Sequence, residues 1–432
     1  MNFKEVFFFK IPSILLIFLP IFLITGPFLP DFSVSWIALS FLIYTIKYKD
    51  FRFFKNIFFK VFIIFYFLII FCSLLSSNFL YSLNTSIFYI RFGIFAVAIW
   101  FLLSNKNNLY KHLLISFFLC FLALTIDSLI QEFSGYNILG YKKYPISEGI
   151  YRISSFFGKE LILGSYCFRL LPLFIGLLFL TKIDNKYKKI IIFFSLFFLF
   201  ILILLSGERA SFFFFIIYLI LFFFLVKDFK KLIFYFFLFI TIILIFLIKI
   251  DSSKTNRMFK NTFLQFINTN KETSNKKFFI FSSDHESHYR IAINMFMDNK
   301  FFGVGPRNFR IECSNIKYYE NESSCTTHPH NTYVQLLAET GFFGFIYIFS
   351  LFLFLIYTIS KHFYYILKKN FYYFSNTQLS FLLSIFINFW PFAPTGNFFS
   401  NYLNVFYYLG LGLFLWSLSS LKTNRLFKNK KV

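Results

Sequence analysis

Apolar runs of about twenty residues recur along the whole chain, and they restrict what it can fold into. A helix of about twenty apolar residues crosses a bilayer and satisfies its own backbone hydrogen bonds there. We predict spans near residues 11–29, 32–46, 57–76, 86–104, 112–130, 160–181, 189–206, 211–226, 232–250, 342–360, 378–390 and 401–420. The predicted fold class is an all-α polytopic membrane protein of about twelve transmembrane helices, with a large outer loop that contains short helices.

The position of the basic residues decides between a membrane protein and a nucleic-acid-binding protein. The formal charge is +24 at pH 7, but hydrophobic residues make up 58% of the chain and charged residues only 14%. A nucleic-acid-binding protein gathers Lys and Arg on one soluble face. Here they form short clusters between apolar runs, such as the one at residues 182–189. We predict membrane lipids as partners and no binding of nucleic acid.

These clusters also predict which side of the membrane each connection faces. Every cluster falls on the side that the N-terminus shares, whereas the connections 27–31, 77–85 and 391–400 contain no Lys or Arg. The positive-inside rule therefore predicts that both termini are cytoplasmic. It also predicts that the 131–159 loop and the long 251–341 segment lie outside.

Composition divides the chain into three predicted parts. Residues 1–250 contain transmembrane helices 1–9, residues 251–341 form the outer loop with the active-site motifs, and residues 342–432 contain transmembrane helices 10–12 and a cytoplasmic tail. Ser274 and Asn321 are predicted to lie outside the membrane.

Residues 282–345 form the one long polar stretch in the chain. They contain four of the six histidines, which are His285, His288, His328 and His330, and the arginines Arg290, Arg307 and Arg310. Residues 283–286, with the letters SDHE, are typical of a capping box, so a helix is predicted from there to about residue 299. Gly303 and Gly305 indicate a turn with positive φ.

His330 stands just before a second predicted helix. Asn331 or Thr332 can cap that helix, and Gly341 can close it before the next span. Unpaired N–H groups and the helix dipole disfavour an imidazolium at this position. A neutral imidazole is what a general base requires, although a histidine at the mouth of a span can also be structural.

Three ionisable side chains are predicted within spans, where they are costly. Arg91 and Asp127 lie near the outer ends of the fourth and fifth spans, and Arg169 lies inside the sixth. They either line a cavity open to the outside or pair between helices, and the sequence leaves both interpretations open.

Several common chemistries are excluded. The sequence contains no G-x-x-x-x-G-K-[ST], no H-E-x-x-H and no G-x-S-x-G. A zinc site needs three or four ligands, which His328 and His330 could supply only together with His285 and His288. We predict no metal and no cofactor.

Three features follow one another in residues 282–345: the predicted helix with Arg290, the Gly303–Gly305 turn, and the start of a helix after His330. Their order resembles that in the bacterial O-antigen ligase and O-antigen polymerase family. The resemblance covers the arrangement of spans, Arg209, the stretch from residue 290 to 309 and the stretch from residue 330 to 344. Its most specific part is HNTYVQLLAETG at 330–341, which matches the family's His-Asn, apolar run, Leu-x-x-Glu and Gly.

The resemblance implies a metal-independent glycosyltransferase that moves an undecaprenyl-pyrophosphate-linked glycan to an acceptor hydroxyl. Two arginines would hold the pyrophosphate while a histidine assists the acceptor, and these roles map to Arg209, Arg290 and His330. Guanidinium forks can compensate the pyrophosphate charge without a metal. Glu208 departs from the family, because a small or polar residue is common there.

Further substrate-binding residues are predicted at Arg152, Arg169, Arg307, His328 and Asn331. The predicted location is the bacterial inner membrane, with the active-site loop in the periplasm. The donor is the lipid-linked glycan, and the acceptor is the lipid A core for an O-antigen ligase. A polymerase of O-antigen or exopolysaccharide, a protein-directed transferase and a flippase or transporter of lipid-linked sugars are the alternatives.

Two of the five cysteines lie in the outer loop, namely Cys313 and Cys325. The periplasm is oxidising, so we predict a disulfide between them. Cys72, Cys120 and Cys167 lie in predicted spans and are interpreted as apolar packing.

Overall fold

The computed structural model describes residues 3–147, 150–250, 256–260, 262, 283–319, 324–369 and 371–428. Ser274 and Asn321 lie outside the described residues, as does most of the 251–282 tract.

A helix occupies the place of each predicted span, and the described residues between the ninth and tenth of these helices form two further helices. In chain order the helices are α1 (Ile11–Thr25), α2 (Phe28–Tyr48), α3 (Ile57–Leu74), α4 (Phe79–Asn105), α5 (Leu109–Ser134), α6 (Leu163–Phe179), α7 (Asn185–Ser206), α8 (Arg209–Leu225), α9 (Lys230–Lys249), α10 (Ser283–Asp298), α11 (Phe309–Glu312), α12 (Thr332–Lys369), α13 (Asn376–Asn388) and α14 (Asn401–Lys428). A π-helical turn, Val6–Lys10, precedes α1, and a second one, Asn256–Lys260, follows α9. The chain is an all-α polytopic membrane protein.

The helices differ in whether they can cross a membrane alone. Within the described ranges, nine are long and apolar enough to do so. Of the other predicted spans, α6 and α8 have 17 residues each and α13 has 13. At about 1.5 Å per residue, α13 is about 20 Å long, which is shorter than the hydrocarbon core. The predicted eleventh span is therefore a short helix, buried from Thr377 to Asn388.

Two helices form the centre of the bundle. α4 is buried over most of its apolar length and packs against α2, α3 and α14. α6 is buried along almost its whole length and packs against α13 and α7. The helices around them present their apolar side chains outward, as lipid-facing helices do.

The three ionisable residues predicted in spans have separate structural partners. Arg91 does not pair with Asp127; its Nη2 lies 2.6 Å from Oδ1 of Asp31 on α2. Asp127 instead accepts hydrogen bonds from the Ser155 hydroxyl at 2.6 Å and from the Ile138 backbone N–H at 2.9 Å. It thereby anchors the 131–159 loop to α5. An Arg–Asp pair between helices does occur, but with a different aspartate.

The 131–159 loop contains a hairpin that the apolar pattern did not predict. β1 (Tyr144–Ser147) and β2 (Ile150–Arg152) pair antiparallel, with Tyr144 opposite Arg152. Gln131 holds the following turn, because its Oε1 accepts from the N–H groups of Ser154 and Ser155. The hairpin brings Arg152 back to the bundle.

α12 is bent at Gly341, and the segment after α10 fills the bend. Gly341 has φ 64°, so the two parts of α12 do not share continuous helical hydrogen bonds. The Val304 N–H donates to Ala338 O, and the Phe342 N–H donates to Lys300 O, at 2.9 and 2.7 Å. Carbonyl and amide groups freed by the bend are thus satisfied by residues 300–305.

The segment between α9 and α12 has a small hydrophobic core of its own. Ile291 and Met295 of α10 pack with Phe309 of α11 and with Ala338 of α12. A disulfide links Cys313, in this core, to Cys325, the pair predicted from the sequence. It closes the segment that leads to His330.

We predict that Gly341→Ala destabilises the protein more than Gly135→Ala does. Both glycines have positive φ, but an added Cβ at Gly135 meets nothing, whereas at Gly341 it overlaps the Phe301 backbone. The matched pair therefore separates backbone strain from steric exclusion. Thermal unfolding of the purified full chain in detergent measures the difference. Equal losses in Tm for the two variants would show that residues 300–305 yield without cost.

Candidate active site

Four histidines from two segments meet beside the bend in α12. His285 and His288 lie one turn apart on α10, and His328 and His330 flank Pro329 before α12. The ring centroid of His330 lies 4.2 Å from that of His328, 5.2 Å from that of His285 and 5.3 Å from that of His288. We call these four side chains the histidine cluster.

The backbone of His330 is held in an unusual conformation. Its φ of 55° is left-handed, which is uncommon for residues other than glycine, although histidine adopts it more often than most. The Thr395 N–H donates to His330 O at 2.8 Å. The Asn331 amide donates to Pro391 O, and its Oδ1 accepts from the Tyr333 and Val334 N–H groups, so Asn331 caps α12. Strained positions of this kind are frequent at functional sites.

The imidazoles at the centre of the cluster are neutral. The pKa of His330 is lowered to about 3, mainly by burial, and the neighbouring His328, His285 and His288 contribute in the same direction. Burial also lowers the pKa of His328 to about 4, with the charge of Arg310 and the two α10 histidines acting in the same direction. The sequence predicted a neutral His330 from the helix terminus, whereas in the structure burial is the main cause.

Glu339, in the most specific sequence motif, joins three segments around this site. Its buried carboxylate accepts from the Phe309 N–H at 3.2 Å and from the Gln335 amide at 2.8 Å. Gln335 in turn donates to the Asn397 side chain and accepts from the Phe398 N–H. The Leu-x-x-Glu of the motif therefore fixes the turn after α10 and the α13–α14 connection to the start of α12.

The sequence could not predict how Arg290 and Arg307 are placed relative to the histidine cluster. Arg290 is exposed and lies two residues after His288, on the face of α10 that points away from the buried Ile291 and Met295. Arg307 has φ 62° in the turn before α11. Arg310, on α11, is the arginine whose charge acts on His328, although the sequence offered no reason to choose it.

A second group of charged residues surrounds the turn between α7 and α8. The Arg152 Nε donates to Ser206 O at 2.6 Å, the Arg257 Nε donates to Gly207 O at 3.2 Å, and the Arg209 Nε donates to Arg257 O at 3.1 Å. We call Arg152, Arg209 and Arg257 the arginine cluster. Arg257 lies in a polar tract without periodicity, so no sequence signal could have selected it.

Glu208 does not neutralise Arg209. Its carboxylate accepts from the N–H groups of Gly164 and Ser165, at 2.7 and 2.9 Å, and from the Ser211 hydroxyl at 2.9 Å. It serves as an acceptor at the N-terminus of α6, where a negative charge is favourable. Its ion pair is with Arg152, at 3.8 Å. The departure from the family pattern at this position therefore has a structural explanation.

Arg169 and Trp390 connect the two clusters. The Arg169 guanidinium donates to Oγ of Ser165, whose backbone N–H donates to Glu208. It also donates to Oδ1 of Asn388 at the end of α13. Trp390 follows Asn388 and packs edge-on against Phe213 of α8 at 6.2 Å. The next residue, Pro391, binds Asn331. A continuous line of contacts thus runs from the arginine cluster to the histidine cluster.

No group of three or more His, Cys, Asp or Glu side chains in the described part of the chain is arranged to hold a metal ion. The cluster is nevertheless rich in imidazole, which remains available for proton transfer.

The comparisons with known proteins identify a region that contains the histidine cluster and two of the three arginines of the arginine cluster. Residues 194–349 match the family model described as O-antigen ligase. The match includes Arg209, Arg257, Arg290 and the whole histidine cluster, whereas Arg152 lies outside it. No curated protein matches the chain. Over residues 194–349, the chain is similar to the O-antigen ligase family.

Proposed function

We propose that this protein is a bacterial inner-membrane glycosyltransferase of the O-antigen ligase type. It moves a glycan from an undecaprenyl-pyrophosphate carrier to an acceptor sugar hydroxyl, the lipid A core, on the periplasmic face. The observation that carries the proposal is His330, held neutral in a left-handed conformation and connected through Asn388 and Trp390 to a cluster of arginines.

The periplasmic assignment rests on which connections share one end of the bundle. Ser77, in a connection without Lys or Arg, donates to Glu312 of α11 at 2.7 Å. Pro391, in another such connection, binds Asn331. Both clusters thus lie among the connections that the positive-inside rule predicts to be outside. On this proposal both termini are cytoplasmic.

The reaction is a substitution at the anomeric carbon of the donor sugar. The acceptor oxygen forms a new bond to that carbon, and the bond to the pyrophosphate oxygen breaks with its electron pair, which releases undecaprenyl pyrophosphate. Guanidinium groups favour this departure because charge develops on the leaving oxygen. Arg209 and Arg290 are proposed to hold the pyrophosphate, and Arg169 and Arg307 to contribute to substrate binding.

His330 is proposed to take the proton of the acceptor hydroxyl, with His328 and Asn331 positioning the acceptor and the histidine. A pKa of about 3 keeps the imidazole unprotonated, but it also makes it a weak base in the free protein. The negative pyrophosphate of a bound donor opposes the effect of burial and raises the pKa of His330. The donor would therefore activate the base that the acceptor needs, and the chemistry requires no metal.

A polymerase of the same family is the second candidate, since the same site chemistry serves another lipid-linked repeat unit as acceptor. A flippase of lipid-linked sugars is a third. It would bind the donor near the middle of the membrane and return it with its glycosidic bond intact. The position of both clusters at one end of the bundle favours transfer over transport.

We predict that His330→Ala lowers the rate of glycan transfer roughly a hundredfold or more, as expected for the loss of a general base. His328→Ala, which removes a neighbouring ring from the same cluster, is the matched comparison and should retain much more activity. The measurement is turnover of lipid-linked donor by the purified full chain, with Tm recorded for each variant. Wild-type turnover in a folded His330→Ala protein would refute the base assignment, and a dead His328→Ala protein with an active His330→Ala protein would transfer the role to His328.

The pKa of His330 also predicts how activity depends on pH. Because the neutral form persists until the pH approaches a pKa of about 3, kcat/KM should show no acid limb from His330 between about pH 8 and pH 5. The kcat profile reports the donor complex, in which the pKa is raised, so its acid limb should lie at higher pH than that of kcat/KM. Coincident acid limbs would mean that the donor does not act on the histidine.

A further inference from the structure

We propose that α10 lies along the membrane surface and that lipid acyl chains of the adjacent leaflet cover one exposed apolar side of it. That side is formed by Ile293 and Met297 of α10 and by Phe301 in the turn that follows. We call these three side chains the apolar strip. The inference concerns a contact with lipid outside the transmembrane helices, so it does not depend on the transferase function.

α10 has apolar side chains on two sides, and in the described part of the chain protein covers one of them. Ile291 and Met295 are 0% exposed and pack in the core of the segment between α9 and α12. Ile293 and Met297 lie one turn apart on another side and are 43% and 58% exposed. Phe301, one further turn along, is 62% exposed. A contiguous exposed apolar surface of this kind indicates a contact with lipid or with another protein.

The apolar strip differs from the polar side of the same helix. Asn294 and Asp298 are exposed on a third side, and Asp298 pairs with Lys317 at 2.8 Å. A helix surrounded by water and one protein core needs only a buried side and a polar side. A helix at a membrane interface has an apolar side as well, which enters the region of the acyl chains. The three sides of α10 therefore fit a position between protein, water and lipid.

The apolar strip is continuous with the surface that the transmembrane helices present to lipid. The Phe301 ring lies 6.1 Å from the ring of Phe343, which follows the bend of α12 and is 42% exposed. The neighbouring Phe302 ring lies 4.9 Å from the ring of Phe71, an exposed residue near the end of α3. Both α3 and α12 are long and apolar enough to cross a membrane. The strip therefore begins where the lipid-facing surface of these two helices ends.

The two ends of α10 are held at the same end of the bundle, which sets its direction. At its C-terminal end, Lys300 O accepts from the Phe342 N–H, at the start of the apolar part of α12. At its N-terminal end, the ring of His288 lies 5.3 Å from the ring of His330, whose carbonyl accepts from Thr395 in the connection between α13 and α14. A helix held at both ends in this way runs along the membrane surface rather than away from it. Contact with lipid would fix the depth of the two histidines that α10 carries.

A second copy of this chain is the alternative occupant of the apolar strip. The continuity with the lipid-facing surfaces of α3 and α12 favours lipid, because acyl chains that cover those helices meet the strip without a gap.

The native cysteines allow a label to be placed at a chosen position of the full chain. Cys72, Cys120 and Cys167 are buried, and Cys313 and Cys325 are joined in the disulfide. A thiol-specific nitroxide therefore reacts with an introduced, exposed cysteine.

The experiment compares a nitroxide on Met297→Cys with one on Asn294→Cys, the matched control on the polar side of the same helix. Phe354→Cys is the reference for lipid, because Phe354 lies on α12 and is 62% exposed. The full chain is reconstituted in vesicles of phosphatidylethanolamine and phosphatidylglycerol. Electron paramagnetic resonance then measures collisions of the nitroxide with O2, which concentrates in the bilayer, and with a nickel chelate, which stays in water.

We expect the ratio of O2 to nickel collisions at residue 297 to be several times that at residue 294 and to approach that at residue 354. Ile293→Cys tests the strip one turn earlier and should agree with Met297→Cys. Equal nickel collisions at residues 293, 294 and 297 would place the strip in water and overturn the inference. Low collision rates with both reagents, together with spin–spin broadening, would show that a second copy covers the strip and would also overturn it.

Discussion

The bend of α12 at Gly341 determines how the segment between α9 and α12 packs against the transmembrane helices. At this point the hydrogen-bond ladder of the helix is interrupted. The Val304 N–H donates to Ala338 O, and the Phe342 N–H donates to Lys300 O. These hydrogen bonds hold the turn after α10 against α12, the helix that follows His330. Because an interrupted backbone in an apolar environment must find partners, the bend and the docking of residues 300–305 form one structural unit. The histidine cluster is a consequence of that docking.

The histidine cluster and the arginine cluster have opposite electrostatic environments. Burial lowers the pKa of His328 and His330, which keeps these two imidazoles uncharged and able to accept a proton. The arginine cluster keeps its charge, because a guanidinium stays protonated even when partly buried. Arg169, Asn388 and Trp390 fix the spacing between the two parts. A donor that reaches both would carry negative charge toward the histidines, which links binding of the leaving group to basicity.

The apolar pattern was sufficient for the helices, since it predicted a helix at all twelve places. The HNTYVQLLAETG motif predicted a helix cap at Asn331 or Thr332, and Asn331 is the observed cap. Local patterns could not give contacts between distant segments. Arg91 pairs with Asp31, Asp127 holds a loop, and Arg257 joins Arg152 at the α7–α8 turn. Each partner is chosen by packing of the bundle and leaves no period or spacing in the sequence. The sequence could not show that α13 is buried in the bundle, because a buried surface and a lipid-facing surface are both apolar.

The most direct test of the central claim follows both halves of the donor. The full chain is reconstituted in vesicles with a lipid-linked glycan that carries one label in the sugar and another in the pyrophosphate, together with a lipid A core acceptor. Transfer predicts that the sugar label moves to the acceptor while an equal amount of the phosphate label is recovered as undecaprenyl pyrophosphate. Recovery of donor with both labels still joined, but on the opposite leaflet, would identify a flippase and contradict the account.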